Sequence, residues 1–179
     1  MSKTVKITEE AYNYYVESKD LDLPSYFTPE VNQDGTVTVY HGLKDESLDY
    51  VLMNGELTPH MCSEGVKGIW FSIKTENDYP SGYHSLVSFN IPISEIGRFG
   101  SQKRFFAMNS AHLFTEKPVS INEFDFKIIK ICGLTLDDET INYLKTNYNG
   151  ENPQSVLDYL DKICPTDAIY YYILNLITD

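Results

Sequence analysis

The chain has 179 residues, 42% of them hydrophobic and 22% charged, with a formal net charge of -12. That length suits a single domain able to bury most of the surface its unfolded form exposes, and the composition excludes disorder as the default state. So large an excess of acid argues against gripping nucleic acid through its phosphates, which takes clustered Lys and Arg.

Chemistry of the ends and cysteines adds a compartment. The three cysteines, Cys62, Cys132 and Cys164, are odd in number and widely spaced, as reduced thiols in a cytoplasmic protein are. No stretch approaches the roughly 18 apolar residues of a membrane span, and Met1-Ser2-Lys3-Thr4 lacks the apolar core of a signal peptide. The 14 tyrosines are in excess and supply amphipathic faces that pack or stack on flat ligands.

Along the chain, Thr8 to Lys19 places Ala11, Tyr12, Tyr15 and Val16 at helical spacing behind a capping hydroxyl, predicting an N-terminal helix. Asp34-Gly35 makes a turn before Thr36-Val37-Thr38-Val39-Tyr40, whose β-branched alternation is a strand delivering His41 at its end. Ser47 is the expected cap of a helix carrying Leu48, Val51 and Leu52, which Asn54-Gly55 stops. Lys67 to Ile73 and Leu86 to Ile91 read as strands, the second ended by Pro92, with a polar loop holding Tyr79, Ser81 and Tyr83 between them. Arg98 to Pro118 shows no clear period. From Phe124 the alternation Phe-Asp-Phe-Lys runs into Ile128-Ile129-Lys130-Ile131, as in a central, mostly buried strand.

The last third turns helical. Asp137 leads into Ile141, Leu144 and Tyr148; Asn152-Pro153 supplies a cap and first-turn proline; Pro165 and Thr166 separate that helix from a last one through Ile169, Ile173 and Leu176. A helix, then strands, then helices specify an α+β fold with an antiparallel-rich sheet. The strand-rich part spans about residues 36–133 and the helical part about 137–179, within one domain, 1–179.

Three strings are candidates for chemistry: Tyr40-His41-Gly42, Gly68-Ile69-Trp70-Phe71-Ser72 with tyrosines behind it, and Asn122-Glu123-Phe124. An imidazole at a strand end beside a residue without a side chain lets a flat ligand approach the backbone. Each string alone also fits a structural histidine, a buried aromatic strand or an exposed acid. In this order they resemble the His-Tyr-Glu triad of the ADP-ribosyltransferases of the diphtheria toxin and poly(ADP-ribose) polymerase class, over roughly residues 36–133.

The resemblance implies a split antiparallel-rich sheet with flanking helices, and NAD as co-substrate. It implies that His41 bonds the adenosine-side ribose, that the Gly42 backbone holds the nicotinamide carboxamide, and that Glu123 bonds the 2'-hydroxyl of the nicotinamide ribose. Tyr79 or Tyr83 would stack on the nicotinamide, and Ser72 or Ser81 would help with the carboxamide. A carboxylate near that ribose stabilises the oxocarbenium-like charge that develops as the glycosidic bond breaks. Ile121, where arginine-modifying relatives carry Glu or Gln, speaks against arginine as acceptor, and the loop from Ile73 to Ser85 is short for the helix that bears the stacking tyrosine.

The implied activity is mono-ADP-ribosyl transfer to a protein or small-molecule acceptor, in a compact form that suits a bacterial or phage effector as readily as a housekeeping factor. A catalytically silent binding or inhibitor module on the same scaffold is the alternative, with NAD glycohydrolase and RNA 2'-phosphotransferase behind it. The last would use Arg98, Lys103, Arg104 and His112. His60-x-Cys62 lacks the paired spacing of a zinc site, so no metal is expected. No nucleophile motif of a serine or cysteine hydrolase is present.

Overall fold

A computed structural model describes residues 4–5, 17, 21–27, 29–61, 65–73, 83–97, 104–109 and 111–179. The expected N-terminal helix falls, apart from Glu17, outside them. The class is α+β, with a mixed, mostly antiparallel sheet. Contacts divide the chain into two compact units, one of residues 1–41, 57–79 and 88–126, the other of 42–56, 80–87 and 127–179.

The strands are β1 (Thr4–Val5), β2 (Val31–Asn32), β3 (Thr36–Leu43), β4 (Glu56–Leu57), β5 (His60–Met61), β6 (Lys67–Ser72), β7 (Ser85–Pro92), β8 (Ile96–Gly97), β9 (Phe105–Ala107), β10 (His112–Thr115), β11 (Val119–Ser120), β12 (Asp125–Ile131) and β13 (Leu134–Thr135). In the first unit the order is β7-β3-β6-β10-β9-β8, with β2 on β3 and β5 on β6; β8 and β9 run parallel.

The turn expected at Asp34-Gly35 forms, with Gly35 at φ 79° and its N–H bonded to the Asn32 carbonyl. Asp34 Oδ1 accepts from both the amide and the hydroxyl of Thr36, which fixes where β3 begins. Its alternation then sorts the two faces of the sheet. Val37 and Val39 are fully buried, and on the same inner face Phe71 meets the rings of Phe89 and Phe105, each at 6.0 Å. The other face carries a polar ladder. Asn32 donates to the hydroxyls of Thr36 and Thr38, Thr38 donates to Asn90, and Asn90 donates to Asp125.

Gly68 in β6 has a packing reason to lack a side chain. Trp70 lies opposite Phe114, their rings 5.0 Å apart. The Phe114 ring also covers Gly68, where a Cβ would stand 2.1 Å from two ring carbons and 2.8 Å from the Thr115 carbonyl oxygen. β12 departs from expectation in two ways. It starts at Asp125, not Phe124, and only Ile128 and Ile131 along it are buried, one on each face of the strand.

In the second unit β12 and β13 form a hairpin with Ile131 opposite Leu134. Its two turn residues, Cys132 at φ 48° and Gly133 at φ 84°, are both left-handed, as a two-residue turn matched to strand twist requires. Ser85 Oγ accepts from the Cys132 amide and the His84 carbonyl from the Gly133 amide. Burial, followed by the neighbouring Asp45 carboxylate, pushes the Cys132 thiol up to about 12. It therefore stays protonated and uncharged. A cysteine in this conformation costs roughly 1 kcal/mol, which asparagine largely avoids. Cys132→Asn should raise stability by about 0.5 kcal/mol in urea unfolding; a loss above about 1 kcal/mol would show that the thiol's contact with Asp45 outweighs the backbone.

The helices of this unit are α1 (Asp45–Asn54), α2 (Asp138–Tyr148), α3 (Pro153–Ile163) and α4 (Asp167–Thr178). Asp137, Asn152 and Thr166 each accept a backbone N–H three residues on, as their sequence positions predict, and Gly55 closes α1 in the left-handed conformation. Ser47 is not the cap. Lys44 holds that position without a side-chain bond, so α1 opens earlier, with Asp45 and Glu46 against its N-terminal dipole. α4 packs on the other three helices, burying Ile169, Ile173 and Ile177 while Tyr171 reaches water. Among the described residues no helix is long and apolar enough to cross a membrane.

Candidate functional site

His41 comes at the point in β3 where the inner-face alternation changes from Val37 and Val39 to an imidazole. It is buried, and its ring lies 5.6 Å from that of Phe71. Nδ1 sits 2.6 Å from the backbone carbonyl oxygen of Trp70. A carbonyl only accepts, so Nδ1 carries the proton and Nε2 presents its lone pair. Burial is the main reason the imidazole is held down to about 4; the Trp70 bond opposes the shift and the nearby His60 adds to it. At neutral pH the ring is uncharged, with one tautomer fixed by the neighbouring strand. A hydroxyl donor is what its free nitrogen suits.

Ser72 does not share that face. It lies opposite Tyr40 in the β3–β6 register, and side chains of directly opposed residues point the same way, so Ser72 sides with Tyr40 and away from His41. Trp70 is on the Ser72 side as well. Among the described residues its buried indole N–H has no hydrogen-bond acceptor, and the ring lies against Phe114. Of the two expected aromatics, Phe71 joins the core and Trp70 is partly exposed.

Glu123 stands in a turn ahead of β12. Its amide bonds the Ser120 carbonyl, and the Asn122 amide bonds Ser120 Oγ. The carboxylate is exposed, and its Oε1 accepts from Nη1 of Arg104. Arg104 is fixed in other ways too: Nη2 donates to the Pro118 carbonyl, and the guanidinium carbon lies 5.6 Å from the ring centres of both Phe105 and Phe124.

Comparison with family models, with curated proteins and with solved structures finds no match to this chain.

Among the described residues no hydrogen bond or ion pair joins His41 and Glu123, whose polar partners are the Trp70 carbonyl and Arg104. A row of rings runs between their neighbourhoods: Phe71 beside His41, Phe105 at 6.0 Å from Phe71, and Phe124 at 5.8 Å from Phe105. Gly42 follows His41 within β3 and is buried. Tyr83 is 37% exposed just before β7, while Tyr79 and Ser81 lie outside the described residues. Of the basic cluster drawn from the sequence, Arg98 and Lys103 also lie outside them. Arg104 is engaged by Glu123, and His112 Nδ1 faces Asn109 Oδ1 instead. Among the described residues no group of three or more His, Cys, Asp or Glu side chains could hold a metal ion.

The pairing of Arg104 with Glu123 is the feature that sequence reasoning missed. The two positions are 19 apart, with no period to link them. A signal was present in the dipeptides Arg104-Phe105 and Glu123-Phe124. Each sets a charge next to a phenylalanine, Phe105 buried and Phe124 half-buried, and the neighbouring rings bring the charges together.

Proposed function

We propose that this chain binds NAD and transfers ADP-ribose from it to a protein or small-molecule acceptor, as a mono-ADP-ribosyltransferase of the His-Tyr-Glu class. The observation that carries the reading is the His41 imidazole, buried, neutral and fixed by the Trp70 carbonyl with Nε2 as an acceptor. That is the form a ribose hydroxyl needs, since a protonated ring offers only donors. The mostly antiparallel mixed sheet is compatible with the split sheet of that class.

In the reaction the bond from ribose C1' to the nicotinamide nitrogen breaks and its electron pair leaves with the nicotinamide. A lone pair of the acceptor then bonds C1', and the acceptor loses a proton. Glu123 supplies negative charge to the electron-poor ribose that exists mainly in the transition state. With water as acceptor the same site is an NAD glycohydrolase.

A second reading is favoured by the rings between His41 and Glu123 and by the Arg104 pairing of Glu123: a catalytically silent module that keeps the fold. One experiment separates them. The full chain is mixed with NAD, free nicotinamide is followed, and NAD affinity is measured by calorimetry. A transferase or glycohydrolase releases nicotinamide, and Glu123→Gln slows it about 100-fold to 1000-fold while NAD affinity stays within a few-fold. Binding without release by the wild type identifies the silent module, and absence of binding removes the NAD reading altogether.

A further inference from the structure

We infer that Arg104 is a positioning residue for Glu123, a role that rests on the reading of Glu123 as the ribose-facing carboxylate. Glu123 is in the turn between β11 and β12, so it is not itself held in a strand ladder. Its orientation comes from a side chain that is itself over-determined. The rings of Phe105 and Phe124 lie against the guanidinium, the Pro118 carbonyl takes Nη2, and Nη1 bonds Oε1. Among the described residues Arg104 Nε is buried without an acceptor, so the group is set by its ring contacts rather than by satisfying every N–H.

Among the described residues the contact to Glu123 uses Oε1 only. Oε2 is left as the acceptor for a ribose hydroxyl, its direction set by the bond on Oε1. A planar guanidinium bonded at two corners and stacked on rings fixes an angle that an ammonium cannot. Misplacing a reacting group by an ångström is enough to lower a rate strongly without altering affinity.

The test uses the full chain with NAD, reading nicotinamide release for the rate and calorimetry for affinity. Arg104→Lys should lose about tenfold in kcat and Arg104→Gln about 30-fold or more, with NAD affinity within about threefold of wild type. Added to Glu123→Gln, Arg104→Gln should cost nothing further, because a group that acts by orienting another has no effect once that other is gone. Wild-type kcat in Arg104→Gln, beside a slow Glu123→Gln, overturns the positioning role and leaves the carboxylate reading standing. A lower rate in Arg104→Gln matched by an equal loss of NAD affinity or of melting temperature, with Arg104→Lys at the wild-type rate, assigns Arg104 to packing and overturns it too. A wild type that binds NAD but releases no nicotinamide overturns both readings together.

Discussion

Replacing Gly68 with alanine should cost about 3–5 kcal/mol of folding stability and leave little native protein at 37 °C. The added methyl would meet the Phe114 ring at 2.1 Å and the Thr115 carbonyl oxygen at 2.8 Å. A flexible tip can yield to such a contact, but here one obstacle is the backbone of the adjacent strand, to which β6 is bound from His112 opposite Ser72 to Thr115 opposite Ile69. Phe114 would have to leave the site where it is 4% exposed and in contact with Trp70. Giving up a buried phenylalanine is a loss of about 3 kcal/mol or more, and strain in the ladder adds to it. Guanidinium unfolding of Gly68→Ala, Phe114→Leu and the double variant measures this directly. The double variant should be more stable than Gly68→Ala alone, with a coupling of about 1–3 kcal/mol. Strict additivity would mean that the ring and the glycine do not share the site.

The second large effect is a response to acid. The folded His41 imidazole titrates near 4, whereas in the unfolded chain a histidine takes up its proton near 6.5. Below pH 6.5 the unfolded state therefore binds more protons than the folded one, and stability falls as pH falls until the folded value is reached. The full difference is roughly 3 kcal/mol, of which about 2 kcal/mol is lost between pH 7 and pH 5. His41→Gln removes the titrating group and keeps an amide able to reach the Trp70 carbonyl. Urea unfolding at pH 7 and pH 5 should show the wild type losing about 2 kcal/mol more than this variant. Equal losses in the two proteins would place the imidazole in contact with water in the folded state.

The same residue shows how far the sequence reaches. That a β-branched strand carries His41 was legible, because Asp34-Gly35 and the Thr-Val alternation fix both the start and the faces of β3, but the strand does not end at His41 as expected and runs on to Leu43. The partner of His41 was not legible, since the Trp70 carbonyl belongs to a strand 29 residues away. The helix caps at Asp137, Asn152 and Thr166 were legible because each acts within three residues of chain. Arg98 to Pro118 was not, because β9 and β10 are only three and four residues long and owe their extended form to pairing with each other and with β6. Glu123 was expected at a strand opening. Its alternation with Phe124 continues the pattern of β12, but the Ser120 carbonyl and hydroxyl capture the amides of Glu123 and Asn122 and bend the chain first. Local side chain-to-backbone bonds of this kind compete with a ladder and are weakly marked in sequence.

The polar rungs from Asn32 through Thr38 and Asn90 to Asp125 have a consequence for how the first unit reaches its native pairing. If β3 slid by a single position, Val37 and Val39 would turn towards water and the threonines would be driven among phenylalanines. The rungs would fail as a set. A mispaired intermediate thus forfeits its buried valines and its whole amide–hydroxyl chain at once, which steers refolding away from off-register traps and makes this half of the molecule proofread its own alignment.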